Sequence, residues 1–130
     1  MSENILHKII DKKKTKIEKL KLEIDMNSLL HAISEKDVFF DFKKKIQTKN
    51  SENKISIIAE IKKASPSAGI LIDDYDPVKI ANIYNSKNVT CLSVLTEEDF
   101  FLGNLSHISE IKKRVIQFFF LFQKYEIDFL

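Results

Sequence analysis

The chain has 130 residues, 44% of them hydrophobic and 31% charged, which fits one ordinary domain with room for one core and excludes a disordered or collagen-like polymer. Lys and Arg total 21 against 19 Asp and Glu, and a formal charge of +2 lacks the basic excess of a dedicated nucleic-acid binder. One cysteine excludes an intramolecular disulfide framework or a multi-Cys metal site, no apolar run approaches the ~20 residues that span a bilayer, and Met1-Ser2-Glu3-Asn4 lacks the opening of a signal peptide; a cytoplasmic protein is expected.

Ile5, Ile9, Ile10, Ile17, Leu20 and Ile24 recur at helical spacing, which predicts an amphipathic helix from Asn4 to Leu22. Its lysines, Lys12-Lys13-Lys14 with Lys16 and Lys19, read either as a basic patch or as a solvated face offset by Asp11, Glu18 and Glu23. Asn27 is a candidate cap for a second helix through Leu29, Leu30 and Ile33, and Phe39, Phe40, Phe42 and Ile46 make a third apolar stripe. The polar stretch Thr48 to Lys54 reads as a linker, so the expected organisation is a helical extension over 1–54 and an α/β segment over 55–130.

The β-branched run Ile55 to Lys62 predicts a strand, with the near-continuous apolar character of a parallel sheet. A loop, Ala64 to Gly69, follows. Asp76-Pro77 supplies a cap and a first-turn proline for a helix over Val78 to Tyr84. Val89 to Leu95 is a second strand, Leu105 to Arg114 another helix, and Val115 to Phe122 the start of a third strand. This βαβαβ rhythm predicts right-handed crossovers and a parallel sheet, whose function sits at the carboxyl ends of the strands.

That rule points to Glu60, Lys62 and the Ser65 loop, and to Thr96 through Gly103. Glu60 and Lys62 are two apart on a strand and share a face. Such a pair can bind a charged substrate or move a proton, or it can be a solvated strand-end ion pair. Ser65-Pro66-Ser67 offers two hydroxyls to a phosphate or carboxylate, or is simply a turn. Thr96-Glu97-Glu98-Asp99 is acidic, yet His7, His31 and His107 are scattered and complete no metal site. Cys91 reads as a small buried hydrophobe. Phe100-Phe101 reads equally as a ligand contact or a cap on the core.

Ile58-Ala59-Glu60-Ile61-Lys62-Lys63-Ala64-Ser65-Pro66-Ser67 and Leu92-Ser93-Val94-Leu95-Thr96-Glu97-Glu98-Asp99-Phe100-Phe101-Leu102-Gly103 resemble two signatures of the indole-3-glycerol phosphate synthase family. Asp73-Asp74-Tyr75-Asp76-Pro77 and Ile5-Leu6-His7-Lys8-Ile9-Ile10-Asp11-Lys12-Lys13 also fit it. The resemblance implies a (β/α)₈ TIM barrel with N-terminal helices, here a partial one of about three strands. It implies a carboxy-lyase of tryptophan biosynthesis that converts the phosphorylated small molecule 1-(2-carboxyphenylamino)-1-deoxyribulose 5-phosphate to indole-3-glycerol phosphate, carbon dioxide and water without a cofactor. It also implies that Glu60 and Lys62 are catalytic, that Ser65 contacts the substrate phosphate, and that Phe101 packs against the substrate. Lys124 is the counterpart of the family's general-acid lysine, although its neighbours depart from the family's Arg-Lys-Asp-Phe pattern.

A full barrel needs about 250 residues, so the chain reads as truncated, without the family's catalytic glutamate and phosphate-cradling loops. An unclosed sheet has free edges. Together with the uncharged run Phe118 to Phe122 this predicts marginal stability and self-association through the exposed sheet. The competing expectation is therefore a non-catalytic remnant that binds itself or a partner, with no nucleic acid and no membrane among its partners.

Overall fold

A computed structural model describes residues 4–34, 41–115 and 120–123, the last four by backbone alone. The chain divides into two compact units, Met1–Phe39 and Phe40–Leu130.

The first unit holds α1 (Ile5–Glu23) and α2 (Met26–Ser34). Asn4 caps α1, its side-chain oxygen accepting the Leu6 N–H at 3.0 Å. The cap of α2 is Asp25 rather than Asn27. The Asp25 carboxylate accepts from Asn27 N at 2.8 Å and Ser28 N at 3.1 Å, and Asn27 lies inside the first turn. An ionised acid stabilises these amides more than a neutral amide side chain does; the Ser28 hydroxyl, which also donates to the carboxylate, and then the amides of Ser28 and Asn27 hold its carboxyl below the usual aspartate range.

The second unit opens with α3 (Phe42–Ser51), capped by Asp41 accepting from Lys44 N. The stretch read as a linker from Thr48 is thus helical to Ser51. Thr48 bonds back to the Lys44 carbonyl, and the helix ends where Asn53 takes φ 55°. Phe39 and Phe40 lie outside the described residues. β1 (Ile58–Ile61) follows, then a small antiparallel hairpin of β2 (Ala64–Ser65) and β3 (Gly69–Ile70). α4 (Pro77–Ser86) starts as the sequence predicts, with Asp76 accepting from Val78 N and Lys79 N and Pro77 in the first turn. β4 (Cys91–Leu95), α5 (Ser106–Arg114) and β5 (Phe120–Gln123) complete the unit.

The sheet runs β1-β4-β5, all parallel, with Glu60 beside Ser93 and Ile61 beside Val94 in register. Parallel neighbours need a crossover, and α4 and α5 supply it. Alternation sends Ala59, Ile61, Leu92 and Val94 to the helix side, where they pack with Val78, Ala81, Ile108, Ile111 and Val115 into the core. Cys91, Ser93 and Leu95 take the opposite face of β4 and are also buried. A strand buried on both faces accounts for the unbroken apolar reading of this stretch. Burial raises the Cys91 thiol pKa, against a smaller opposing pull from Lys45, so Cys91 behaves as the inert small hydrophobe expected of it.

The described residues thus form a mixed α/β arrangement of three parallel strands flanked by helices. Among them no helix is long and apolar enough to cross a membrane.

Candidate functional site

The site lies where β1 ends. Glu60 projects from the face of β1 opposite the helix-side core, Lys62 follows directly after the strand, and Lys62 Nζ sits 2.7 Å from Glu60 Oε1. Their side chains are 36% and 30% exposed, so water screens the pair and the bond adds only about 0–1 kcal/mol to stability. That low value leaves the pair free to exchange partners at little cost. The backbone beneath it is held more firmly. Tyr84 of α4 donates its hydroxyl to the Glu60 carbonyl at 3.2 Å, anchoring β1 at the residue that carries the acid.

Ser65 follows at the turn of the hairpin. Its Oγ accepts from Ala68 N at 3.2 Å and lies 3.5 Å from Ser67 Oγ. The pair Ser65–Gly69 closes a three-residue loop, and Gly69 at φ +68° occupies the left-handed conformation that such a loop requires. Leu71 N donates to the Lys63 carbonyl at 2.8 Å and ties the hairpin to the residue after Lys62. The segment is thus a turn, the simpler of the two readings of Ser-Pro-Ser, and it carries the hydroxyls of Ser65 and Ser67 just after the Glu60–Lys62 pair in the chain.

The loop after β4 is organised by a residue that the sequence reading placed in an acidic cluster. Glu97 is 3% exposed. Its Oε2 accepts from Phe100 N at 2.7 Å and Phe101 N at 3.2 Å, and its Oε1 from Asp99 N at 3.2 Å. Its carbonyl accepts from Gly103 N at 2.6 Å, closing the loop on itself. Leu102 at φ 52° makes the bend, and Gly103 fits only because it lacks a Cβ, which would collide with the Leu95 carbonyl. Glu97 therefore spends its charge on backbone donors, and among the described residues no group of three His, Cys, Asp or Glu could hold a metal ion. Phe100 and Phe101 are half-buried on it.

Two further groups escaped the sequence reading. Ser93, in register with Glu60, is 3% exposed, and its Oγ has no partner among the described residues. A buried unsatisfied hydroxyl costs about 1–3 kcal/mol. Tyr75 and His107 stack at 5.6 Å with their rings tilted by 55°, joining the segment before α4 to the first turn of α5. Burial pushes the Tyr75 phenol up to about 12. Burial also lowers the His107 pKa, against the attraction of Glu110 and with a smaller push from Lys63.

Lys124 lies outside the described residues, as do Phe118 and Phe119; of the remaining expected site residues, Glu60 and Lys62 meet, Ser65 follows them in the chain at its turn, and Phe101 lies on the loop after the adjacent strand β4. An open groove of about 530 Å³ lined by Ile46, Asn50, Ser56 and Ile58 lies toward the other end of β1, away from these groups.

The family model for indole-3-glycerol phosphate synthase matches residues 6–129. Among curated proteins, the indole-3-glycerol phosphate synthase of Desulforamulus reducens is 42% identical over 110 residues, which is 85% of this chain and 40% of the relative. That of Alkaliphilus metalliredigens is 41% identical over 109 residues, 84% of this chain and 41% of the relative. That of Campylobacter jejuni is 37% identical over 127 residues, 95% of this chain and 49% of the relative. The chain thus spans between two-fifths and half of the length of these relatives.

Proposed function

From the premise that the chain belongs to the indole-3-glycerol phosphate synthase family, we propose that it carries the first-strand wall of a site that closes the indole ring of 1-(2-carboxyphenylamino)-1-deoxyribulose 5-phosphate. The observation that carries this reading is the Glu60–Lys62 pair, 2.7 Å apart at the carboxyl end of a parallel strand and open to water.

The reaction needs an anion-binding cation for the aromatic carboxylate. It needs a proton donor at the ketone oxygen while the ring carbon attacks, and an acceptor for the proton released when water leaves. Lys62 can release Glu60, bind the carboxylate that departs as carbon dioxide, and assist proton transfer. Glu60 is then a free carboxylate within reach of the same atoms. Ser65, with the amides of its turn, faces the phosphate end, and Phe101 packs on the aromatic ring. Lys124 is proposed as the general acid. No cofactor enters this chemistry, and a cytoplasmic setting suits it.

A second reading, a chain that binds itself or a partner without turnover, is favoured by a different observation. Among the described residues β1 is an edge strand, and Ile55, Ile57 and Ile58 are exposed along and before it.

The deciding experiment is a fluorescence assay for indole-3-glycerol phosphate with the purified chain, run beside size-exclusion chromatography. Turnover reduced ~10²–10⁴-fold by Lys62→Ala supports the first reading. Turnover indifferent to both Lys62→Ala and Glu60→Gln refutes it. A self-associated chain without turnover supports the second.

A further inference from the structure

We propose that Ser93 is a positioning residue for Glu60: its buried hydroxyl is the donor that takes over the Glu60 carboxylate when Lys62 turns away to an anionic ligand.

Three observations carry the inference. Glu60 and Ser93 are in-register neighbours on parallel strands. Their Cα atoms are therefore about 4.8 Å apart and their side chains leave the sheet on the same face. The Ser93 hydroxyl is buried and has no partner among the described residues, while Cys91 and Leu95, its neighbours on that face, are apolar and equally buried. Alanine would remove the cost of an unpaired hydroxyl, so a serine at this position is accounted for by a bond made in another state of the site. Finally, the partner that holds Glu60 here is replaceable. Lys62 Nζ lies on Oε1, and the pair is only partly shielded from water.

When Lys62 moves to a ligand carboxylate, Glu60 would otherwise be an unpaired carboxylate beside an apolar strand. Rotation about its own side-chain bonds carries an oxygen toward Ser93 Oγ, with no movement of the backbone that Tyr84 holds. The serine proton then points to the carboxylate, fixes its direction, and leaves the second oxygen for the substrate. The inference rests on the functional reading only in what Lys62 turns toward. The exchange of partners is a property of this chain and can be tested in its absence.

The test uses Lys62→Met, which keeps the length of the side chain and removes its charge. In the crystal structure of this variant, a Glu60 carboxylate oxygen is expected at hydrogen-bond distance from Ser93 Oγ, about 2.5–3.0 Å. In solution, the carboxyl ¹³C resonance of Glu60, assigned by its loss in Glu60→Gln, is expected to move on going from Lys62→Met to Lys62→Met/Ser93→Ala and to return in Lys62→Met/Ser93→Thr. A resonance unmoved by Ser93→Ala, or a carboxylate directed into water in the crystal, overturns the proposal. If the double variants fail to fold, the structure of the single variant decides alone. Absence of turnover in the unaltered chain counts against the functional reading and leaves this comparison standing.

Discussion

Replacing Glu97 by alanine should unfold the loop after β4 and cost the second unit much of its stability. The carboxylate is 3% exposed and receives three backbone N–H groups at 2.7, 3.2 and 3.2 Å. A hydrogen bond to a charged group contributes about 1.5–3 kcal/mol. The three are not additive, because the amides of Asp99, Phe100 and Phe101 are only partly buried and water can reach some of them once the side chain is gone. The variant also leaves a hole where the glutamate side chain was. Together these give a loss of about 2–4 kcal/mol, against a total stability of only about 5–15 kcal/mol for an ordinary domain. For a unit of this size, each kcal/mol lowers Tm by about 4–8 °C, so a drop of at least ~8 °C is expected. Circular dichroism melts measure it, and amide hydrogen exchange localises it to Asp99, Phe100 and Phe101. Glu97→Gln keeps one acceptor oxygen and should fall between the two. A Glu97→Ala melt within ~3 °C of the unaltered chain, with Phe100 and Phe101 still protected, would show that the carboxylate does not organise the loop.

Gly103→Ala puts a methyl group into the Leu95 carbonyl, so the loop backbone must shift; an unfolding free energy lower by ~2 kcal/mol or more is expected in urea titrations. Asp76→Ala removes the cap of α4, which accepts from Val78 N and Lys79 N, and should cost about 0.5–2 kcal/mol in the same measurement. The His107 pKa is lowered by burial, so the unfolded chain takes up a proton that the folded chain resists. Stability should therefore decline as pH falls below the ordinary histidine value of about 6.5, and His107→Gln should flatten that decline between pH 7.5 and 5.5. Tyr75, pushed up to about 12, should ionise well above the ordinary tyrosine value of about 10 in an ultraviolet titration, and Tyr75→Phe should remove that step.

Local order was legible wherever a short-range rule governs it. Asp76-Pro77 announces the start of α4, and the periodicity of Ile5 to Ile24 announces α1. Errors fell where two local choices compete. Asp25 and Asn27 both suit a cap, and the charged acid won because it reaches two amides. Thr48 to Ser51 is polar enough for a loop yet continues α3, because polarity alone does not end a helix when the backbone bonds persist. The hairpin inside the Ala64 to Gly69 loop was hidden because two residues per strand carry no alternation.

The amino-acid sequence by itself determined the family, the strand–helix rhythm, and the placing of Glu60 and Lys62 two apart at a strand end, since all three depend on spacing along the chain. Tertiary structure decided what the polar groups away from the helix starts do. It turned Glu97 inward to hold three amides and set Tyr84 on the Glu60 carbonyl. It also brought Ser93 beside Glu60 although 33 positions separate them. The amides that Glu97 holds lie two to four residues along the chain, and packing decided only that the acid is buried on them. The partners of Tyr84 and Ser93, by contrast, are chosen by strand register and burial, which arise only when distant segments pack and which no local pattern of residues encodes.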